Sequence, residues 1–131
     1  MKIFSKKNIV LLIAMLVASV SLSSGAMAAS SFNFPFKSSN FSGGVSLGTN
    51  SAIAYTNYGH SSGLSARVTY NYRHGSIFET HTVTVTNSAN STSVVATANA
   101  IYVPAVNVSA HGYHTVYYDG SGTTAATDVY N

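Results

Sequence analysis

The sequence predicts an all-β protein, folded as a small antiparallel β-sandwich or, alternatively, a small barrel. Val, Ala and Tyr alternate with Ser, Thr and Asn at a spacing of two over much of residues 45–131, the pattern of strands with one buried face. No window has the three- and four-residue apolar spacing of an amphipathic helix. Turn-forming residues recur about every ten positions, and no connection has the length of a crossover helix, so we expect antiparallel pairing.

The chain is expected to be exported, because its first residues have the three parts of a signal peptide. Three lysines precede the apolar run Ile9–Val20, which is too short for a comfortable membrane span. Ala26 and Ala28, with one residue between them, then precede a cleavage site before Ala29, the small-residue pattern that signal peptidase requires. The prediction is a secreted, extracellular protein with three parts: a signal peptide (1–28), a Phe- and Ser-rich N-terminal arm (29–44) and a β-sandwich domain (45–131).

The charge of the chain depends on this signal peptide. The whole sequence has six Lys and Arg against three Asp and Glu, a net charge of +3 and a pI near 9.3. Half of the basic residues lie in the signal peptide, so the mature protein is neutral. A neutral domain lacks the basic face that neutralises phosphates, which excludes nucleic acid as a partner. The chain has no cysteine, so its stability cannot come from disulfides.

The first elements follow from the alternation in chain order. The N-terminal arm places four phenylalanines among Ser, Asn and Gly, and Pro35 favours an edge strand or an extended arm there. Strands are predicted at Ala52–Tyr58 and Leu64–Arg73, the second with both arginines of the domain on its exposed face. The two strands would each bury one face.

The remaining strands are shorter and more regular. The best defined is Thr80–Asn87, in which threonine alternates with histidine or valine. Asn87–Asn90 has turn chemistry, so this strand is expected to form a hairpin with a second strand at Thr92–Ala100. The last strands are predicted at Val106–Ala110, Tyr113–Asp119 and Thr124–Tyr130.

All five histidines lie beyond the signal peptide, and they allow two interpretations. His111 and His114, joined by His74 or His81 from another strand, would supply the donors of a zinc or copper site. Histidine is also common on half-exposed sheets, and residues three apart on a strand face opposite sides, so we expect no metal and no other cofactor. Protonation of all five, at an ordinary pKa of about 6.5, would give the neutral domain a charge of about +5 and attract it to anionic envelopes.

Catalysis is not expected from this composition. Three carboxylates are spread over the mature chain, and the nearest acid–base pair is Glu79 with His81. No Gly-x-Ser-x-Gly elbow supplies a nucleophile. Nine tyrosines are the composition of recognition surfaces and carbohydrate platforms, or of a β core with polar tips.

A series of short motifs runs from Tyr55 to Tyr118. Asn71-Tyr72-Arg73-His74 precedes Thr80-His81 at the start of a Thr/Val strand, and an Asn-rich turn, Ala96-Thr97-Ala98 and Tyr117-Tyr118 follow. The segment Ala54–His60 ends in a second copy of this Asn-Tyr-x-His motif. This order resembles the lactococcin 972 family of secreted bacteriocins. The resemblance implies a small β-sandwich that inhibits related bacteria by interfering with cell-wall synthesis, without enzymatic action.

The expected function is therefore that of a bacteriocin-like protein acting on related Gram-positive bacteria. Its partner would be a cell-wall precursor or another envelope component, with an immunity protein as a further candidate. The alternative is a self-associating extracellular matrix or surface protein, because Thr82–Asn87 and Ser93–Ile101 are β-prone, uncharged and free of proline. The residues predicted to bind are all tyrosine or histidine: Tyr58, His60, Tyr70, Tyr72, His74, His81, Tyr117 and Tyr118.

Overall fold

The computed structural model of the protein describes residues 28–75 and 77–131. These residues form six strands in one antiparallel sheet that is nearly closed into a barrel, which confirms the predicted all-β fold. They contain no helix, and hence none that could span a membrane. Apart from Ala28, the predicted signal peptide lies outside the described residues. The strands are β1 (Ala29–Phe36), β2 (Ser39–Gly48), β3 (Ser51–His74), β4 (Ile77–Asn99), β5 (Ala105–Tyr118) and β6 (Ser121–Tyr130).

The long strands β3 and β4 organise the sheet. β4 pairs with one edge of β3, while the other edge pairs with β2 over residues 51–58 and with β5 over residues 63–74. Between these halves both long strands bend sharply. Thr56 Oγ1 donates a hydrogen bond to the carbonyl of Ser65, and Asn87 Nδ2 donates one to the carbonyl of Val95, each at 2.9 Å. The bend brings the β1–β2 hairpin against the β5–β6 hairpin.

The core lies between these two hairpins, on the inner face of the bent β3–β4 pair. Leu64, Val68 and Tyr70 of β3 belong to one buried cluster with Val45 and Leu47 of β2. Alanines occupy many of the other inner positions, which lets the two halves of the sheet approach closely. These are Ala52, Ala54, Ala66, Ala96, Ala98 and Ala110.

Several strands that the sequence predicts as separate are continuous in the structure. The predicted hairpin between Thr80–Asn87 and Thr92–Ala100 is wrong, because Ser88–Ser91 pair with residues 62–65 of β3 and extend β4 through the predicted turn. Asn87 does bond locally, as its turn chemistry suggests, but its amide stabilises the bend in β4 and no chain reversal occurs. β3 and β5 likewise each join two predicted strands.

The predicted N-terminal arm lies in the sheet as β1 and the first half of β2. Pro35 lies on β1, which pairs only with β2 among the described strands, in agreement with the edge position that proline favours. The ring of Phe32 lies 4.8 Å from that of the fully buried Phe41, and Phe34 packs edge-on against it at 5.3 Å. The arm therefore covers one end of the core.

Candidate binding surface

The eight residues predicted to bind lie in three separate places. Tyr70, Tyr72, His74 and His81 lie near the β3–β4 turn, at the end of the barrel crossed by the β4–β5 connection. Tyr58, His60 and Tyr118 meet at the bend of β3, at the opposite end. Tyr117 stands on the outer face of β5. The structure therefore does not bring the predicted residues together into one site.

The β4–β5 connection and the first residues of β5 carry several exposed large apolar side chains. We call residues 101–106 the apolar loop. Ile101, Tyr102, Val103 and Val106 keep between 50% and 73% of their surface exposed, and Pro104 follows a cis peptide bond. Contiguous apolar surface of this kind is unusual on soluble monomers and marks binding sites. The apolar loop is therefore the first candidate for a functional surface.

Hydrogen bonds fix the backbone of the apolar loop. The hydroxyl of Tyr72 accepts from the N–H groups of Ile101 and Tyr102, at 2.9 and 3.2 Å. Asn50, in the β2–β3 turn, accepts from the N–H of Ala100 with its carbonyl and from the N–H of Ala105 with its side chain, both at 2.8 Å. Both ends of the connection are thus anchored, so binding would not require the loop to order.

Histidine rings flank the exposed tyrosine of this loop. The Tyr102 ring lies 4.9 Å from His81 and 5.6 Å from His74, and His81 stacks in turn on the buried Tyr72 ring at 5.3 Å. His74 Nδ1 donates to the carbonyl of Pro104 at 3.3 Å. The predicted residues Tyr72, His74 and His81 therefore support the apolar loop, with only the two histidines partly exposed.

The tyrosines Tyr70 and Tyr72 themselves are fully buried. Burial raises the pKa of Tyr70 to about 12, and its hydroxyl donates to Asn107 Oδ1. Neither ring is available to a partner. Tyr72 positions the loop through its hydroxyl, whereas Tyr70 bonds to Asn107 of β5. The exposed residues Ile101, Tyr102, Val103 and Val106 are not among those predicted from the sequence to bind. The signal was present, since Ile-Tyr-Val-Pro-Ala-Val is an apolar run that contains proline and follows a predicted strand.

The second predicted group joins two hairpin turns to the bend of β3. His60 stacks on Tyr118 at 4.9 Å with ring planes 7° apart, and Tyr58 is buried beside them. The hydroxyl of Tyr58 donates to the carbonyl of Phe36 at 2.7 Å, and burial raises its pKa. Nearby, Lys37 Nζ donates to the carbonyl of Asp119 at 2.8 Å. These contacts hold the β1–β2 turn, the β5–β6 turn and the bend of β3 together at this end of the barrel.

His114 and His111, considered above as metal ligands, have separate roles. His114 is fully buried and lies between Thr56 and Thr127, at 2.9 and 2.8 Å from their hydroxyl oxygens. His111 lies on the outer side, with Nδ1 2.5 Å from a carboxylate oxygen of Asp128. Within residues 28–75 and 77–131, no three His, Asp or Glu side chains are grouped closely enough to hold a metal ion.

The enclosure of His114 determines its protonation. The Thr56 hydroxyl donates to the carbonyl of Ser65, so it must accept from His114, which places the ring proton on Nδ1. Nε2 then accepts from Thr127. A positive charge would be desolvated here, and burial lowers the pKa of His114 to about 4.

Tyr117 stands apart from both groups, with 61% of its surface exposed. On the same outer face of β5, the ring of Tyr113 is covered by the guanidinium of Arg67 at 4.9 Å.

In comparisons with known proteins, no family model matches the chain, and no curated protein or solved structure is significantly similar to it.

Proposed function

We propose that the protein binds the lipid surface of a bacterial envelope through the apolar loop, and that this binding inhibits related Gram-positive bacteria without enzymatic action. The observation that carries the proposal is the exposure of Ile101, Tyr102, Val103 and Val106 on a backbone that hydrogen bonds already fix. Export of the protein through its N-terminal segment is part of the same proposal.

The energetics favour an apolar environment for this loop. Full transfer of an Ile, Val or aromatic side chain out of water contributes roughly 1.5–3 kcal/mol, and the loop offers several such side chains together. Because its backbone is anchored by Tyr72 and Asn50, little conformational entropy is lost on insertion. Tyrosine is also enriched at membrane–water interfaces, where its ring is buried and its hydroxyl stays wet.

The charges around the loop indicate which lipid surface it suits. His74 and His81 flank Tyr102, and the exposed Arg73 and Glu79 lie on the same strands, with opposite charges. The end of the barrel therefore carries one cationic and one anionic side chain together with two imidazole rings. The guanidinium and the imidazole nitrogens can donate hydrogen bonds to the phosphate oxygens of phospholipid headgroups.

The resemblance to the lactococcin 972 family supports the same proposal. The first two motifs of this resemblance, Asn71-Tyr72-Arg73-His74 and Thr80-His81, lie on paired segments of β3 and β4. Tyr72 and these two histidines contact the apolar loop. The motif residues would therefore hold the element that contacts the envelope.

Vesicle flotation with purified protein tests the proposal. Wild-type protein is expected to float with anionic phospholipid vesicles, and the Ile101→Ser, Val103→Ser double variant to remain in the soluble fraction. The control is Tyr130→Ser, which removes an equally exposed apolar side chain from β6. The same three proteins are spotted on lawns of Gram-positive bacteria, where only the loop variant should lose its clearing zone. Equal flotation of all three proteins would refute membrane binding through the loop.

Self-association is a second candidate function, and the open edge of β4 favours it. β4 pairs only with β3 among the described strands, and its residues 79–86 contain one charged residue and no proline. Such edges pair readily with other strands. Concentration-dependent growth in mass by analytical ultracentrifugation, abolished by Thr84→Lys, would support this function over the first. A monomer at all concentrations would exclude it.

A further inference from the structure

Tyr117 occupies an unusual position in the sheet. Its cross-strand neighbours on both sides are glycines, Gly63 on β3 and Gly122 on β6. The ring therefore projects from the outer face with no side chain directly beside it on either strand. Glycine within a strand weakens the strand, and it often marks a place where a ligand approaches closely.

A shallow depression lies on each side of Tyr117. The one on the β6 side has a volume of about 470 Å³ and is lined by Thr115, Val116, Tyr117, Gly122, Thr123 and Thr124. The one on the β4 side has a volume of about 260 Å³ and is lined by Gly63, Leu64, Ser88, Ala89 and Asn90. Together they form an open surface site with an aromatic ridge at its centre.

The lining of both depressions carries no charge and combines apolar surface with hydroxyl and amide groups. Thr115 and Thr124, cross-strand partners, offer hydroxyls on one side. Ser88 and Asn90 offer a hydroxyl and an amide on the other. Hydroxyl and amide groups around an exposed tyrosine ring match a pyranose, which presents C–H groups to an aromatic face and hydroxyls at its edge. The absence of Lys, Arg and His from both linings gives no means of selecting an anionic ligand.

We propose that Tyr117 and its two flanking depressions bind a neutral, unbranched glycan chain. One sugar stacks on the Tyr117 ring, and its neighbours along the chain lie in the depressions beside Gly63 and Gly122. This site is separate from the apolar loop, and a glycan held here would keep the protein at a polysaccharide-rich surface. The glycan site and lipid binding can therefore be tested independently.

The test is a titration of ¹⁵N-labelled protein with cellohexaose, chitohexaose and mannohexaose, followed by amide chemical shifts. At least one hexasaccharide is expected to shift the amides of Gly63, Tyr117 and Gly122 in a saturable way. Tyr117→Ala should weaken that binding about tenfold or more, as loss of a central aromatic contact does. Tyr117→Phe should keep most of it, because the stacking face is retained.

Two controls separate recognition from structural effects. Tyr130→Ala removes a tyrosine of similar exposure, 66% against 61%, and should bind as wild type does. Gly63→Ser tests the smaller depression, since a Cβ there meets its nearest atom at an ordinary 3.7 Å, and it should weaken binding while the fold is kept. The proposal is overturned if none of the three sugars shifts these amides at millimolar concentration, or if Tyr117→Ala binds as tightly as wild type.

Discussion

At the scale of single residues, His114 is the buried group with the most closely fitted surroundings. Two glycines lie against its ring, Gly43 on β2 and Gly112 on its own strand, β5. A Cβ at Gly43 would lie 2.9 Å from Nδ1, and one at Gly112 would lie 2.7 Å from Nε2, both shorter than real contacts allow. Both ring nitrogens have hydrogen-bond partners in Thr56 and Thr127. The site therefore accepts neutral imidazole and leaves no room for water to hydrate an imidazolium.

This enclosure predicts that the protein loses stability in mild acid. The pKa of His114 is lowered to about 4 in the folded state, against about 6.5 in the unfolded chain. The unfolded state therefore binds more protons between these values, and the His114 contribution is complete above about pH 6.5 and lost as pH falls towards 4. Urea unfolding followed by circular dichroism at pH 7 and pH 4 should show a decrease of about 3 kcal/mol from this group.

The matched control for this prediction is His114→Gln, which keeps a polar side chain of similar reach and cannot titrate. The variant should be less stable at pH 7, yet its stability should change less than that of wild type between pH 7 and pH 4. An equal pH dependence in both proteins would assign the acid sensitivity to other groups.

The role of His114 could be only partly foreseen from the sequence. The spacing of three between His111 and His114 predicts opposite faces if both lie on one strand, and the structure places both on β5 with one ring outside and one inside. Nothing in the local sequence distinguishes which of them is buried. That depends on Thr56, which lies 58 positions away along the chain, and on the bend of β3 that carries it there.

At the scale of elements, Tyr72 of β3 holds the apolar loop, which lies about thirty residues further along the chain. The Tyr72 hydroxyl accepts two backbone N–H groups of the apolar loop. Tyr72→Phe would keep the buried ring and leave both donors without this partner, which costs about 1–3 kcal/mol where the donors cannot reach water. We expect faster hydrogen exchange at Ile101 and Tyr102 with little change in the sheet amides.

Tyr117→Phe is the control for Tyr72→Phe, because the Tyr117 side chain lies on the exposed outer face of β5. It should leave the exchange rates of both loop amides unchanged. Unchanged loop amides in Tyr72→Phe would show that the contacts of Asn50 and His74 suffice to hold the loop.

Strand positions were more predictable than strand continuity. The alternation in residues 80–87 correctly predicts two faces, and the structure shows that the threonines face outwards while His81, Val83 and Val85 are partly buried. The Asn-rich segment at 87–90 predicts a reversal, because local turn chemistry resembles that of a hairpin. In the structure, β3 supplies a pairing partner for each of these residues. Long-range pairing therefore overrides the local preference for a turn.

At the scale of the whole molecule, the fold class was predictable and the candidate surface was not. Alternation and the absence of helical periodicity suffice for an antiparallel all-β protein. The surface depends on which strand ends meet, and the bend of β3 and β4 separates the predicted residues into three places. Tyrosines that look alike in sequence therefore have different environments. Tyr70 is in the core, Tyr118 stacks on His60 where the turns meet, and Tyr117 is exposed.

The distribution of histidine over the molecule gives the last prediction. His74 and His81 flank Tyr102 of the apolar loop, where their ring nitrogens can form hydrogen bonds with the phosphate oxygens of lipid headgroups. His111 lies on the outer face of β5 and His114 is buried, so neither reaches the same lipid. Removing the ring nitrogens of His74 and His81 should therefore weaken binding to phospholipid vesicles, and the same change at His111 should not.

Flotation with phospholipid vesicles measures this effect. The His74→Phe, His81→Phe double variant keeps a ring beside Tyr102 and removes the ring nitrogens, so it should float less than wild type. His111→Phe is the matched control and should float as wild type does. Circular dichroism confirms that each protein is still folded. Equal flotation of the double variant and wild type would contradict a role for these two histidines in binding headgroups.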